Sequence, residues 1–83
     1  MLQNTAPDGT KNLIGKRVRK LRMERNLSQN ELSYKLQLLG YNGERGLIKR
    51  IELGTRYVSD IEIKILADFF NVSYEYLIDG DDT

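Results

Sequence analysis

Residues 28–36 read Ser-Gln-Asn-Glu-Leu-Ser-Tyr-Lys-Leu, residues 40–43 read Gly-Tyr-Asn-Gly, and residues 44–52 read Glu-Arg-Gly-Leu-Ile-Lys-Arg-Ile-Glu. Ser28 followed three positions later by Glu31 is a capping box, so a helix starts there, with Leu32, Leu36 and Leu39 as its apolar stripe. Gly40, Asn42 and Gly43 supply the positive-φ freedom of a sharp turn. A second, shorter helix then runs from about Glu44 or Arg45 to Leu53, burying Ile48 and Ile51, and Gly54 stops it. Arg45, Lys49 and Arg50 put three cations into that short helix, on the side away from its apolar residues.

Working outward, Ile14, Val18 and Leu21 recur at i, i+4 and i+7, which predicts a preceding helix ending near Arg25 and Asn26, with Asn26 suited to a left-handed stop. Downstream, Ser59 and Glu62 repeat the capping box before a helix ending near Phe70 and Asn71, its inner face formed by Ile63, Leu66, Ala67 and Phe70. Ser73 opens a last short helix through Leu77. No run of alternating polar and apolar residues predicts a strand. The chain reads as all-α, a compact bundle of five helices over residues 12–78, with a flexible N-terminal tail at 1–11 and a polar C-terminal tail at 79–83.

The 83 residues contain neither cysteine nor histidine, which removes disulfides, thiol nucleophiles, zinc fingers and imidazole catalysis together. A domain this small rarely encloses a catalytic pocket, so the expectation is no enzyme, no cofactor and no metal. No apolar run is long enough for a bilayer, and residues 1–4 lack the basic and apolar regions of a signal peptide, making the cytoplasm the expected location. The formal net charge of +1 conceals a division: residues 11–56 hold twelve of the thirteen Lys and Arg, a net +8, whereas residues 57–83 carry −6. Such polarity presents a basic end to an anionic partner. A short cationic helix held end-on by a partner helix has the dimensions of the DNA major groove.

Four stretches, Ile-Gly-Lys-Arg-Val-Arg-Lys-Leu-Arg (14–22), Leu-Ser-Gln-Asn-Glu-Leu (27–32), Ile-Lys-Arg-Ile-Glu-Leu-Gly (48–54) and Leu-Ala-Asp-Phe-Phe-Asn-Val-Ser (66–73), occur in an order that resembles the helix-turn-helix domain of phage repressor/Cro-type regulators. The resemblance implies a lambda-repressor-like five-helix DNA-binding domain and a transcriptional regulator, in the first place a repressor, whose third helix enters the major groove of double-stranded DNA. It implies base contacts at Arg45, Gly46 and Arg50, with Lys49 beside them, and a phosphate contact from Gln29. It also implies a partly buried ion pair between Arg22 and Glu52. The connection between the second and third helices is longer here than in members with a tight turn. Lys35, Thr55, Arg56, Tyr57 and Arg17 are candidates for contacts to phosphate. Ile61, Ile65 and Phe69 form a second stripe on the fourth helix and, with Tyr74, Tyr76 and Ile78, are the candidate surface of a homodimer on DNA. Burial under the fifth helix is the other reading of that stripe. The alternative function is a protein-interaction module of the same fold, an antitoxin or adaptor bound to a toxin or another regulator.

Overall fold

Capping boxes start two of the helices. In the computed structural model, which describes residues 4–80, Ser28 Oγ accepts the Glu31 N–H at 3.0 Å and Glu31 accepts the Ser28 N–H at 2.8 Å. The helix they open is α2, Gln29–Leu38; the same exchange between Ser59 and Glu62 opens α4, Asp60–Phe70. Helix α1 spans Gly15–Glu24, α3 Leu47–Leu53 and α5 Tyr74–Asp79. The described residues contain no strand.

Four helices end by one device. Past α1, α2, α3 and α4 the chain places Asn26, Gly40, Gly54 and Asn71 at positive φ, and the next N–H folds back to a carbonyl five residues earlier. These are Schellman closures, which satisfy carbonyls otherwise left open at the helix end. At α2 the closure runs from Tyr41 to Leu36. It ends the helix at Leu38 and leaves Leu39 64 % exposed, so Leu39 does not continue the buried stripe of Leu32 and Leu36. Within residues 40–43 only Gly40 takes positive φ; Asn42 and Gly43 do not. Gly43 is required for another reason, since a Cβ there would overlap Leu47 Cδ2 and crowd the Tyr41 ring.

The core is one cluster: Ile14, Val18 and Leu21 of the first helical segment, Leu32 and Leu36, then Leu47, Ile48 and Ile51, and finally Leu66, Ala67, Phe70 and Leu77. Of the inner face expected on α4, Ile63 is only partly buried, packed at the cluster's margin. Helix α1 approaches the end of α3 so closely that a Cβ on Gly15 would strike the Ile51 carbonyl. Asn12 fixes that contact: its Oδ1 accepts the N–H groups of Ile14 and Gly15 at 3.2 and 2.8 Å, and its Nδ2 donates to the Ile51 and Arg56 carbonyls at 3.1 and 2.9 Å. Arg25 ties α1 to the other end of the bundle, donating to the Phe69 and Phe70 carbonyls and stacking on both rings. Residues 6–11, read from composition as part of a tail, form a turn whose Lys11 N–H bonds the Gly54 carbonyl at 2.8 Å, with Thr10 packed on Gly54.

Candidate nucleic-acid interface

Helix α3 buries Leu47, Ile48 and Ile51, which by helical geometry turns Lys49, Arg50 and Leu53 outward. Lys49 and Leu53 are exposed and Arg50 is half-buried. The helix begins later than its sequence pattern suggests, because Gly46 sits at φ +78°, a left-handed conformation that cannot belong to a right-handed helix. Arg45 and Gly46 therefore precede α3 in a short turn closed by Leu47 N–H to Glu44 O at 3.0 Å. Both are exposed. The Arg50 guanidinium reaches back over Gly46, where an added Cβ would lie 3.4 Å from Nη1, and its Nη2 pairs with Glu44 at 3.2 Å. Glu44 and Leu53 thus join the surface formed by Arg45, Gly46, Lys49 and Arg50. Leu53 was legible as the i+4 neighbour of Lys49; nothing local marked Glu44.

The base of this surface is a buried polar junction between α1, α2 and α3. Arg22 presents Nε and Nη2 to the two oxygens of Glu52 at 2.6 and 2.9 Å, with side chains only 11 % and 3 % exposed. These hydrogen bonds to Glu52 raise the Arg22 pKa above its ordinary value. The remaining Arg22 donor bonds the Leu27 carbonyl at 2.8 Å, and Gln29 Nε2 adds a third donor to Glu52 at 3.1 Å. The Gln29 side chain therefore braces α3 in this conformation instead of reaching outward. The first N–H groups of α2 stand beside it without intrahelical acceptors.

The other phosphate candidates divide. Lys35, Thr55 and Tyr57 are exposed; Thr55 Oγ1 also donates to the Arg50 carbonyl at 3.4 Å, and Lys11 lies over the Tyr57 ring. Arg56 faces inward: its guanidinium pairs with Glu62 at 3.0 Å and donates to the Tyr57 carbonyl at 2.9 Å. Arg17 bonds the Leu13 carbonyl and covers Gly80 at the end of α5. The candidate dimer stripe also splits. Ile65, Phe69 and Tyr76 pack against the core, whereas Ile61 and Tyr74 remain exposed and, with Ile63 and Ile78, line an open apolar groove between α4 and α5.

Glu62 is a second buried carboxylate, and Tyr41 donates its hydroxyl to the same group that Arg56 holds. Burial by itself would raise the Glu62 pKa, but Arg56, the Ser59 N–H and the Tyr41 hydroxyl together bring it down to about 2. Burial, reinforced by Glu62, pushes the Tyr41 phenol up to about 12. Every buried side-chain nitrogen and oxygen among the described residues has a hydrogen-bond partner.

Two helices joined by an eight-residue connection, the second lying with its charged face outward and braced from behind by the first, define a helix-turn-helix protein. A family model described as a helix-turn-helix domain matches residues 15–83, and the chain belongs to that family. No curated protein and no solved structure matches the chain. No helix among the described residues is long and apolar enough to cross a membrane.

Proposed function

We propose that the protein is a sequence-specific, double-stranded DNA-binding transcriptional regulator, a Cro-type repressor that sets α3 in the major groove of an operator. The observation that carries this reading is the outward face of α3 and its lead-in: Arg45 and Lys49 are exposed and Arg50 lies over an exposed Gly46, at the start of a helix short enough to enter the groove end-on. Arginine donates two parallel hydrogen bonds to guanine O6 and N7, and Leu53 offers an apolar contact for a thymine methyl. The N-terminus of α2, with Lys35, Thr55 and Tyr57, supplies donors to the phosphates, fixing register without reading sequence. Binding, not catalysis, is the work of this surface.

The Ile61, Ile63, Tyr74 and Ile78 groove supports a homodimer on a palindromic operator, since an isologous contact repeats the reading helix on a two-fold axis. The same groove is what favours the second reading, a protein-interaction module such as an antitoxin that docks a toxin there. Selecting bound duplexes from a random pool separates the two. A regulator returns a motif with half-sites about one helical turn apart. A chain that enriches no duplex refutes the first reading.

A further inference from the structure

Both connections flanking α3 converge on one carboxylate. Tyr41, in the α2–α3 connection, donates its hydroxyl to Glu62 Oε2. Arg56, in the α3–α4 connection, brings Nη1 to 3.0 Å from Oε1 and Nη2 to 3.0 Å from Oε2. The Ser59 N–H fills the remaining site on Oε1 at 2.9 Å. An ionised carboxylate accepts about four hydrogen bonds; this one accepts three, from Tyr41, Arg56 Nη1 and Ser59, while the guanidinium balances its charge. Glu62 is itself fixed by its place in the first turn of α4, where Ser59 Oγ accepts its N–H.

Helix α3 is only seven residues long, and Gly46 interrupts the backbone ahead of it. The orientation of the lead-in is therefore not inherited from a long helix. It is tied at one end by Tyr41 N–H to Leu36 O and at the other by Leu47 N–H to Glu44 O. Between these ties, Gly43 rests on the Tyr41 ring and Leu47. The Tyr41 ring is thus the floor of the lead-in, and its hydroxyl bond to Glu62 is what holds that floor to α4.

Resting on the DNA-binding reading, we propose that Glu62 is a positioning residue for sequence recognition: through Tyr41 it sets where Arg45 and Gly46 stand relative to Lys49 and Arg50. Arg56 serves the same device from the other side and makes no phosphate contact of its own. Glu62 acts on the reading surface without touching DNA.

Tyr41→Phe tests this, because it keeps the ring and removes only the hydroxyl; Glu62→Gln is the second variant. Amide hydrogen exchange on the free protein reports the lead-in, with the core amides of α1 and α4 as the measure of global stability. In Tyr41→Phe, exchange at residues 42–46 accelerates beyond whatever the core amides show. Affinity for the pool-selected duplex then falls about fivefold, the factor set by one hydrogen bond of ordinary net strength, while affinity for random duplex and the salt slope stay at wild-type values. Glu62→Gln behaves alike with a larger loss, and Arg56→Gln leaves the salt slope unchanged. Lead-in exchange that merely tracks the core, or selected and random duplex weakening together, overturns the proposal. Failure of the DNA-binding reading looks different: the wild-type chain itself then retains no duplex at low salt.

Discussion

Replacing Glu52 by alanine strands the Arg22 guanidinium in a nearly closed pocket. Two of its three bonded donor groups lose their acceptor, Gln29 loses its partner, and Arg22 keeps only the Leu27 carbonyl. Breaking a buried pair by removing one member costs about 3–5 kcal/mol, well beyond the 0–1 kcal/mol typical of an exposed pair. A chain of 83 residues has a total stability of roughly 4–12 kcal/mol at the usual ~0.05–0.15 kcal/mol per residue. The substitution therefore removes a large share of it. At about 4–8 °C per kcal/mol, the midpoint falls by roughly 12–40 °C in a circular-dichroism melt. The urea midpoint drops with little change in slope. The double variant Arg22→Met, Glu52→Leu recovers most of this loss, because an apolar pair of similar volume needs no compensation for buried charge. DNA affinity measured where Glu52→Ala is still folded declines moderately through loosening of α3. A melt unchanged from wild type, together with lost DNA affinity, refutes the structural assignment and makes Glu52 part of the contact surface.

Gly46→Ala forces a Cβ into left-handed backbone, costing about 1–2 kcal/mol in urea unfolding and weakening DNA binding by straining the turn that leads into α3. Arg50→Ala lowers discrimination at one base of each half-site by about 1–3 kcal/mol, read by competition among single-base variants of the selected duplex. Raising salt lowers affinity with a log–log slope of about −0.9 per neutralised phosphate. Glu62 titrates near 2 folded against 4.5 free, so its contribution to stability is complete above pH 4.5 and disappears as pH falls toward 2. Glu62→Gln should lose that part of the acid dependence in urea titrations at each pH. Tyr41 works in the opposite sense: its contribution holds below pH 10 and is lost as pH climbs to about 12, an effect absent from Tyr41→Phe.

Much of the bundle was legible because its signals are local. Ser28 with Glu31 and Ser59 with Glu62 act within a single turn, and Asn26, Gly54 and Asn71 carry the backbone freedom of a helix stop in their own covalent structure. Apolar periodicity placed α1 and most of α4. It failed at Leu39, where periodicity extended a stripe past a backbone closure that had already turned the chain. It also merged Ile61 with Ile65 and Phe69, since a repeat of four reports a shared face but not how much of that face neighbouring helices cover.

The amino-acid order alone determined most helix starts and stops and that three cations, Arg45, Lys49 and Arg50, sit on and beside one short segment, because capping, φ preference and charge are properties of neighbours in the chain. Tertiary structure decided which cations are free. Arg56 and Arg17 turn inward to Glu62 and to the end of α5, and the Gln29 amide turns to Glu52, while Arg45 and Lys49 stay exposed. Those choices depend on partners 6–63 positions away, brought within hydrogen-bond or packing distance only when the apolar faces close on one another. Side-chain availability is therefore a consequence of packing that no local pattern can encode.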